Sequence, residues 1–362
     1  MTRPPSLPDA PRLRRAEPSG ASHPLVELTL ARFREFLREP EAVFWVFAFP
    51  LIMSCALGIA FRSRGGEPVI AGVAEQAGAD AIVGTLEAGG AFTVRRIPLD
   101  EIDRAVRDGR VPVVVIPGTP PTYRFDQARA ESQVARLAVD AALQRAAGRA
   151  DAFVPIQEPV QAVGSRYIDW LVPGLLGMNI MSTGLWGVGF SIVQARTKKL
   201  LKRLVATPMS RTHYLLANVL SRLLYLALET AVIMGFAWLA FDVRVHGTIA
   251  ALGGLALFGA LAFGGIGLLL ASRARTIEAV SGLMNLVMLP MWVLSGIFFA
   301  STNFPDAMQP FIRALPLTAL IDALRGVVNE GRTLAELLPE VGILTAWGTV
   351  SFALALRLFR WQ

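Results

Sequence analysis

Arg196-Thr197-Lys198-Lys199-Leu200-Leu201-Lys202-Arg203-Leu204-Val205-Ala206-Thr207-Pro208-Met209-Ser210-Arg211 separates two long apolar runs, residues 170–193 and 214–241. All three lysines of the chain lie inside it. A basic segment between two apolar runs of roughly 20 residues or more reads as a loop joining two membrane-spanning helices. The rest of the chain fits that reading. It is 53% hydrophobic and 17% charged, where soluble domains are roughly a quarter charged. Mean hydropathy is +0.49.

The net charge of +7 could suggest nucleic acid. Basic residues gathered beside apolar spans explain it better, so no nucleic-acid partner is expected. The single cysteine, Cys55, excludes a disulfide framework or a cysteine metal site within one chain. His23, His213 and His246 are too scattered to suggest a histidine metal cluster.

Six apolar runs predict six transmembrane helices, at 42–61, 170–193, 214–241, 248–271, 279–300 and 339–358. Seventeen Lys and Arg residues flank them on one side and four, Arg244, Arg313, Arg325 and Arg332, on the other. The richer side holds both termini, which are therefore expected in the cytoplasm. A cleaved leader is the rival for residues 1–61, because Ile52-Met53-Ser54-Cys55 resembles a weak lipoprotein box. The basic leader is too long, and the apolar run continues past Cys55.

The fold expected is an α-helical integral membrane protein with a small α/β extracytoplasmic domain inserted after the first span. Residues 1–24, rich in Pro, Arg and Ser, read as a disordered cytoplasmic tail. In 25–41, Val26, Leu30, Phe33 and Leu37 recur at helical spacing, with Arg32, Arg34 and Arg38 on the polar side. This predicts an amphipathic interfacial connector helix on the inner leaflet, with an ordinary amphipathic helix packed on protein as the alternative. Within 62–168, strands are predicted at 69–74, 92–97, 111–116 and 153–158, with helices at 79–87, 99–107 and 131–147. Tyr123-Arg124-Phe125-Asp126 lies between them. Residues 169–362 form a five-helix transmembrane domain with a cytoplasmic loop at 195–213. The outer segment 303–328 is broken by Pro305, Pro310 and Pro316. It reads as re-entrant or interfacial, with Leu317, Leu320, Ile321 and Leu324 on one face and Asp322 and Arg325 on the polar side.

Polar residues inside the spans are the candidates for chemistry. Glu229 falls mid-span, where a charge costs about 2.5–3.5 kcal/mol on insertion scales. Arg222 and Tyr225 precede it on roughly the same helical face. The three form a candidate substrate path or gate, or else a packing group hydrogen-bonded to a neighbouring helix. Asn179 and Asn285 carry the same two readings. Ala256, Ala260 and Gly264, four residues apart, predict close helix packing.

Together these residues resemble the permease subunit of type-2 ATP-binding cassette (ABC-2) transporters, in the subgroup with a large external domain. The resemblance covers residues 25–362. It rests on the order connector helix, first span, external domain and five spans, and on local signatures. These are Leu171-Val172-Pro173-Gly174-Leu175-Leu176-Gly177-Met178, the segment Lys202–Arg211 with Thr207-Pro208, Leu289-Pro290-Met291 with Leu294–Phe299, and Leu315-Pro316-Leu317-Thr318 with Asp322-Ala323-Leu324-Arg325.

The resemblance implies that Arg196, Lys198, Lys199, Lys202, Arg203, Thr207, Pro208 and Arg211 form a coupling element docking into a cytoplasmic ABC ATPase subunit. The family's usual acid after the first arginine, and the Gly-Thr often following it, are replaced by Thr197, Lys199 and Leu200. No Gly-x-x-x-x-Gly-Lys-Ser/Thr phosphate loop is present, so the chain is expected to be no enzyme. ATP and Mg would be bound by the partner, with no cofactor in this chain.

A second permease copy, the lipid bilayer and a periplasmic adaptor complete the implied partners. The implied place is the bacterial inner membrane. The implied work is export of hydrophobic or amphipathic cargo, as in multidrug efflux. A membrane-anchored sensor or assembly factor acting through the external domain is the alternative.

Overall fold

The computed structural model describes residues 24–61, 68–150, 153, 156, 164–197, 211–274 and 276–358. The chain divides into two compact units, one from residues 1–62 and 161–362, the other from 63–160.

The first unit opens with α1 (Pro24–Leu37). A single turn, Pro40–Val43, then runs through a π-helical stretch, Phe44–Ala48, into α2 (Phe49–Ala60). Pro40 and Pro50 lie in first turns, where a missing N–H costs nothing.

In the second unit β1 (Val69–Ala74), α3 (Ala79–Glu87), β2 (Phe92–Ile97), α4 (Ile102–Arg107), β3 (Val113–Ile116), β4 (Thr122–Phe125) and α5 (Ala130–Ala146) follow one another. The sheet order is β2-β1-β3-β4. β1 runs parallel to β2 and β3, and β4 is antiparallel to β3. Alternation along β3 sends Val113 and Val115 into one core with Leu86 and Val139. It sends Val114 into another with Ile97 and Ile102. Tyr123 donates to Asp140 Oδ1 at 3.0 Å, tying β4 to α5. Burial, and then that hydrogen bond, push the Tyr123 phenol up to about 12. The strand expected over 111–116 starts at Val113, and the one expected over 153–158 lies largely outside the described residues.

The chain returns to the first unit with α6 (Tyr167–Gly184), which passes through a π-helical stretch, Leu185–Phe190, into α7 (Ser191–Thr197). Then come α8 (Arg211–Phe241), α9 (Ile249–Arg273), α10 (Ile277–Leu294), α11 (Gln309–Ala314), α12 (Pro316–Val328) and α13 (Leu338–Leu358). Among the described residues, five helical stretches are long and apolar enough to cross a membrane: Tyr167–Gln194, Val219–Phe241, Ile249–Arg273, Ile277–Leu294 and Leu338–Leu358. Phe44–Ala60, expected as part of the first span, is apolar but shorter.

The core is built on α6, whose exposed surface is almost nil from Leu171 to Met181. It crosses α9 through small residues. A Cβ on Gly184 would stand 2.7 Å from Phe263 Cβ and 3.0 Å from the Ala260 carbonyl oxygen. A Cβ on Gly267 would stand 2.8 Å from the Leu185 carbonyl oxygen. Only glycine admits such an approach, and it brings whole backbones into van der Waals contact.

In the segment read as re-entrant or interfacial, 303–328, α12 packs into the first unit, and Arg325 leaves the polar side expected for it. Every residue of α12 except Asp322 is buried, and Arg325 is 6% exposed rather than on a polar face. The reason is local compensation. Arg325 donates from Nη2 to the Gly296 carbonyl at 2.6 Å, and from Nε and Nη2 to the Trp170 carbonyl at 3.4 and 3.3 Å. Its guanidinium lies 3.3 Å from the Trp170 ring centroid, and Nη1 stands 3.6 Å from Asp322 Oδ1. Backbone oxygens and an indole face take the place of water.

Arg325→Leu should therefore cost about 3 kcal/mol, the scale of hydrogen bonds to a charged group lost in a buried site. Arg325→Lys should cost less but stay below wild type, since an ammonium lacks the planar fork. Thermal unfolding of the purified chain in detergent measures both. Equal stability of all three proteins would refute the clamp.

Candidate functional site

α8 carries Arg222, Tyr225 and Glu229, the first two half-buried and the third buried. Glu229 is fully buried, and its Oε2 accepts from Thr183 Oγ1 at 3.0 Å. Its Oε1 is buried and has no partner among the described residues. A carboxyl with one hydrogen bond in an apolar bundle is costly, which makes such a residue a candidate functional group. Arg222 lies against Gly187 of the π-helical stretch after α6, where a Cβ would overlap the guanidinium. Tyr225 stacks on Phe33 of α1 at 5.7 Å between ring centroids and packs tilted on Phe36 at 4.6 Å.

This contact shows the connector helix packing on protein through part of its apolar stripe. Of its predicted apolar stripe, Phe33 packs on protein with Phe36, and Phe36 meets Phe47 edge-on at 6.3 Å. Val26, Leu30 and Leu37 remain 42–50% exposed. α1 is thus fastened to α8 by aromatic rings and keeps only part of its apolar face free.

Two π-helical stretches flank this region. A π turn widens the helix and shifts its hydrogen-bond ladder, often where function needs irregular backbone. In the first, the Val46 carbonyl accepts from Asn179 Nδ2 at 3.0 Å, which ties that stretch to α6. In the second lie Gly187 and Gly189, where a Cβ on Gly189 would stand 2.6 Å from the Gly267 carbonyl oxygen. Asn285 is exposed on α10.

Lys198, Lys199, Lys202, Arg203, Thr207 and Pro208 lie outside the described residues. Their flanks are described. Arg196 ends α7 and donates from Nη1 to the Ala274 carbonyl at 3.5 Å, and Thr197 Oγ1 donates to the Gln194 carbonyl at 3.1 Å. Arg211 opens α8, the helix that carries Arg222, Tyr225 and Glu229. Thr183, Phe36 and Gly187 were not singled out by sequence, and Phe33 only as part of the apolar stripe of the connector helix. Their signal exists only once α1, α6 and α8 are side by side.

A family model described as ABC-2 family transporter protein matches residues 41–357. The chain belongs to the ABC-2 family. Among curated relatives, this ABC-2 chain is similar to the linearmycin resistance permease protein LnrN of Bacillus subtilis. The two are 25% identical over 176 residues, 49% of this chain and 46% of LnrN. It is also similar to the inner membrane transport permease YadH of Escherichia coli, 26% identical over 206 residues, 55% of this chain and 75% of YadH. Nodulation protein J of Bradyrhizobium diazoefficiens is 33% identical over 101 residues, 28% of this chain and 38% of that protein. The chain thus spans about half the length of the first of these relatives.

The Glu229–Thr183 pair gives a direct test of what the buried carboxyl needs. Thr183→Val alone should destabilise by about 1–3 kcal/mol, because it leaves a buried carboxyl without its partner. Thr183→Val combined with Glu229→Leu should recover most of that loss. A double-mutant cycle by thermal unfolding reads the coupling, and additive losses would show that the pair does not interact.

Proposed function

We propose that this ABC-2 chain is the membrane permease subunit of a bacterial ABC exporter, moving a hydrophobic or amphipathic, drug-like or lipid-like substrate. The observation that carries the reading is the family match across 41–357, almost the whole membrane part of the chain. The name of the Bacillus relative, a resistance permease, supports drug-like cargo and export. The name of the Escherichia relative supports the inner membrane.

Energy comes from a separate cytoplasmic ATPase subunit, which binds ATP and Mg. What supports this is the sequence, in which no lysine follows a glycine-rich loop. The permease pairs with a second copy, and both termini face the cytoplasm. Residues 42–61 form the first of six spans. Phe44–Ala60 is about 25 Å of helix, a few ångström short of a bilayer core of about 30 Å, a mismatch that local thinning absorbs. The α/β unit lies outside the cytoplasm, where it is placed to meet a periplasmic adaptor.

Coupling runs through the basic segment 196–211. Arg196, Lys198, Lys199, Lys202, Arg203 and Arg211 give register and specificity against an acidic groove, while Thr207-Pro208 shapes the turn. α8 starts at the end of that segment, so a push there reaches Arg222, Tyr225 and Glu229 along one rigid helix.

Reversing the charge at Lys198, Lys199, Lys202 and Arg203 should cut ATPase co-purification from native membranes, and ATP-dependent efflux, by about tenfold or more, the scale of losing close charge pairs. Unchanged association and efflux, with topology intact, would overturn coupling at this segment. Glu229→Gln, which keeps the side chain's shape, should slow efflux while leaving ATPase association unchanged. Normal efflux would leave Glu229 a packing group.

A further inference from the structure

The outward face of α8 and α9 carries a groove of about 690 Å³ that none of the functional residues above lines. Its size falls within the roughly 300–1,000 Å³ typical of small-molecule sites. Its walls run along α8 from Leu223 to Trp238, about 22 Å of helix at 1.5 Å per residue. That exceeds one leaflet, about half of a bilayer core of about 30 Å. Met234, Leu252 and Leu257 make the walls apolar. Gly235 and Gly253 keep it open, since a Cβ at either position would meet nothing within 4 Å.

One end is different. Arg244 lines the groove beside Trp238, which is 56% exposed. Arg244 Nε donates to Asp242 Oδ1 at 2.9 Å, while its Nη1 and Nη2 bond to no described residue. A guanidinium with its outer fork unused binds phosphate through two parallel hydrogen bonds. An exposed tryptophan at the end of an apolar span suits the headgroup level.

We infer that this groove is a binding site for one membrane phospholipid, its acyl chain between α8 and α9 and its phosphate on Arg244. The lipid belongs to the leaflet on the side of the 242–248 connection. The inference goes beyond export, because the site exists whether or not the chain transports anything. It also differs from ordinary lipid contact, in which an exposed apolar helix face meets many lipids in turn. Here concavity and a phosphate-binding fork coincide.

The full chain would be placed in lipid nanodiscs holding a phosphatidylethanolamine probe with a photoactivatable diazirine in its acyl chain, and labelled residues mapped by mass spectrometry. Label should concentrate on 231–238 and 249–257 and be displaced by excess unlabelled phospholipid. Gly253→Leu, which fills the groove where the fold leaves room, should cut that label at least fivefold with no change in thermal unfolding. Arg244→Gln should cut it similarly, and a diacylglycerol probe lacking phosphate should label weakly. Label spread evenly over other exposed apolar residues such as Leu286 and Leu354, or unaffected by Gly253→Leu, would overturn the site. So would equal labelling by the diacylglycerol probe. Absent label with chain-to-chain cross-links at this face would assign the groove to a second copy instead.

Discussion

A guanidinium removed from water must find every one of its partners in the protein, and Arg325 does so by holding three elements in one place. Ionised groups cost several kcal/mol to bury, so the carbonyls of Trp170 and Gly296 and the ring of Trp170 are conditions for α12 to sit inside the bundle. The network extends from there. Asn329, just past α12, donates to the Asp169 carbonyl at 3.0 Å. Arg166 pairs with Asp169 at 2.7 Å and donates to the Phe241 carbonyl at 2.9 Å, closing the end of α8. The start of α6, the end of α8, the turn after α10 and the end of α12 are thereby locked at one end of the bundle.

α8 is 31 residues long, about 46 Å, well beyond a bilayer core of about 30 Å. Its excess lies at the Arg211 end, next to the basic segment. Tyr225, with Phe33 and Phe36, couples α1 to α8. Beside it, α6 and α9 cross closely at Gly184 and Gly267. Backbones in van der Waals contact cannot be compressed further.

Much of the fold was legible because apolar length is a one-dimensional signal. Runs such as 170–193 and 248–271 announced helices without any knowledge of their neighbours. The small-residue spacing of Ala260 and Gly264 likewise announced a close crossing, because the pattern is itself helical. The site was less legible, for a physical reason. Arg325 has a polar side chain at an amphipathic spacing, and nothing in the chain around it says that Trp170 and Gly296, 155 and 29 residues away, turn their carbonyls towards it. Phe33 read as a membrane-facing residue because an aromatic ring is equally content on lipid or on Tyr225. Glu229 was legible as an anomaly, but its partner Thr183 was one of several hydroxyls in apolar spans.

Glu229 and Thr230 are neighbours in sequence and stand on different faces of α8, since successive residues turn by about 100°. Glu229 faces Thr183 of α6, while Thr230 lines the outward groove shared with α9. α6 and α9 are held together by their glycine crossing, so they form one rigid wall and α8 lies against it. Any tilt of α8 that stretches the Glu229–Thr183 contact must also change the width of the groove. The buried carboxyl and the apolar groove are therefore geometrically linked through α8.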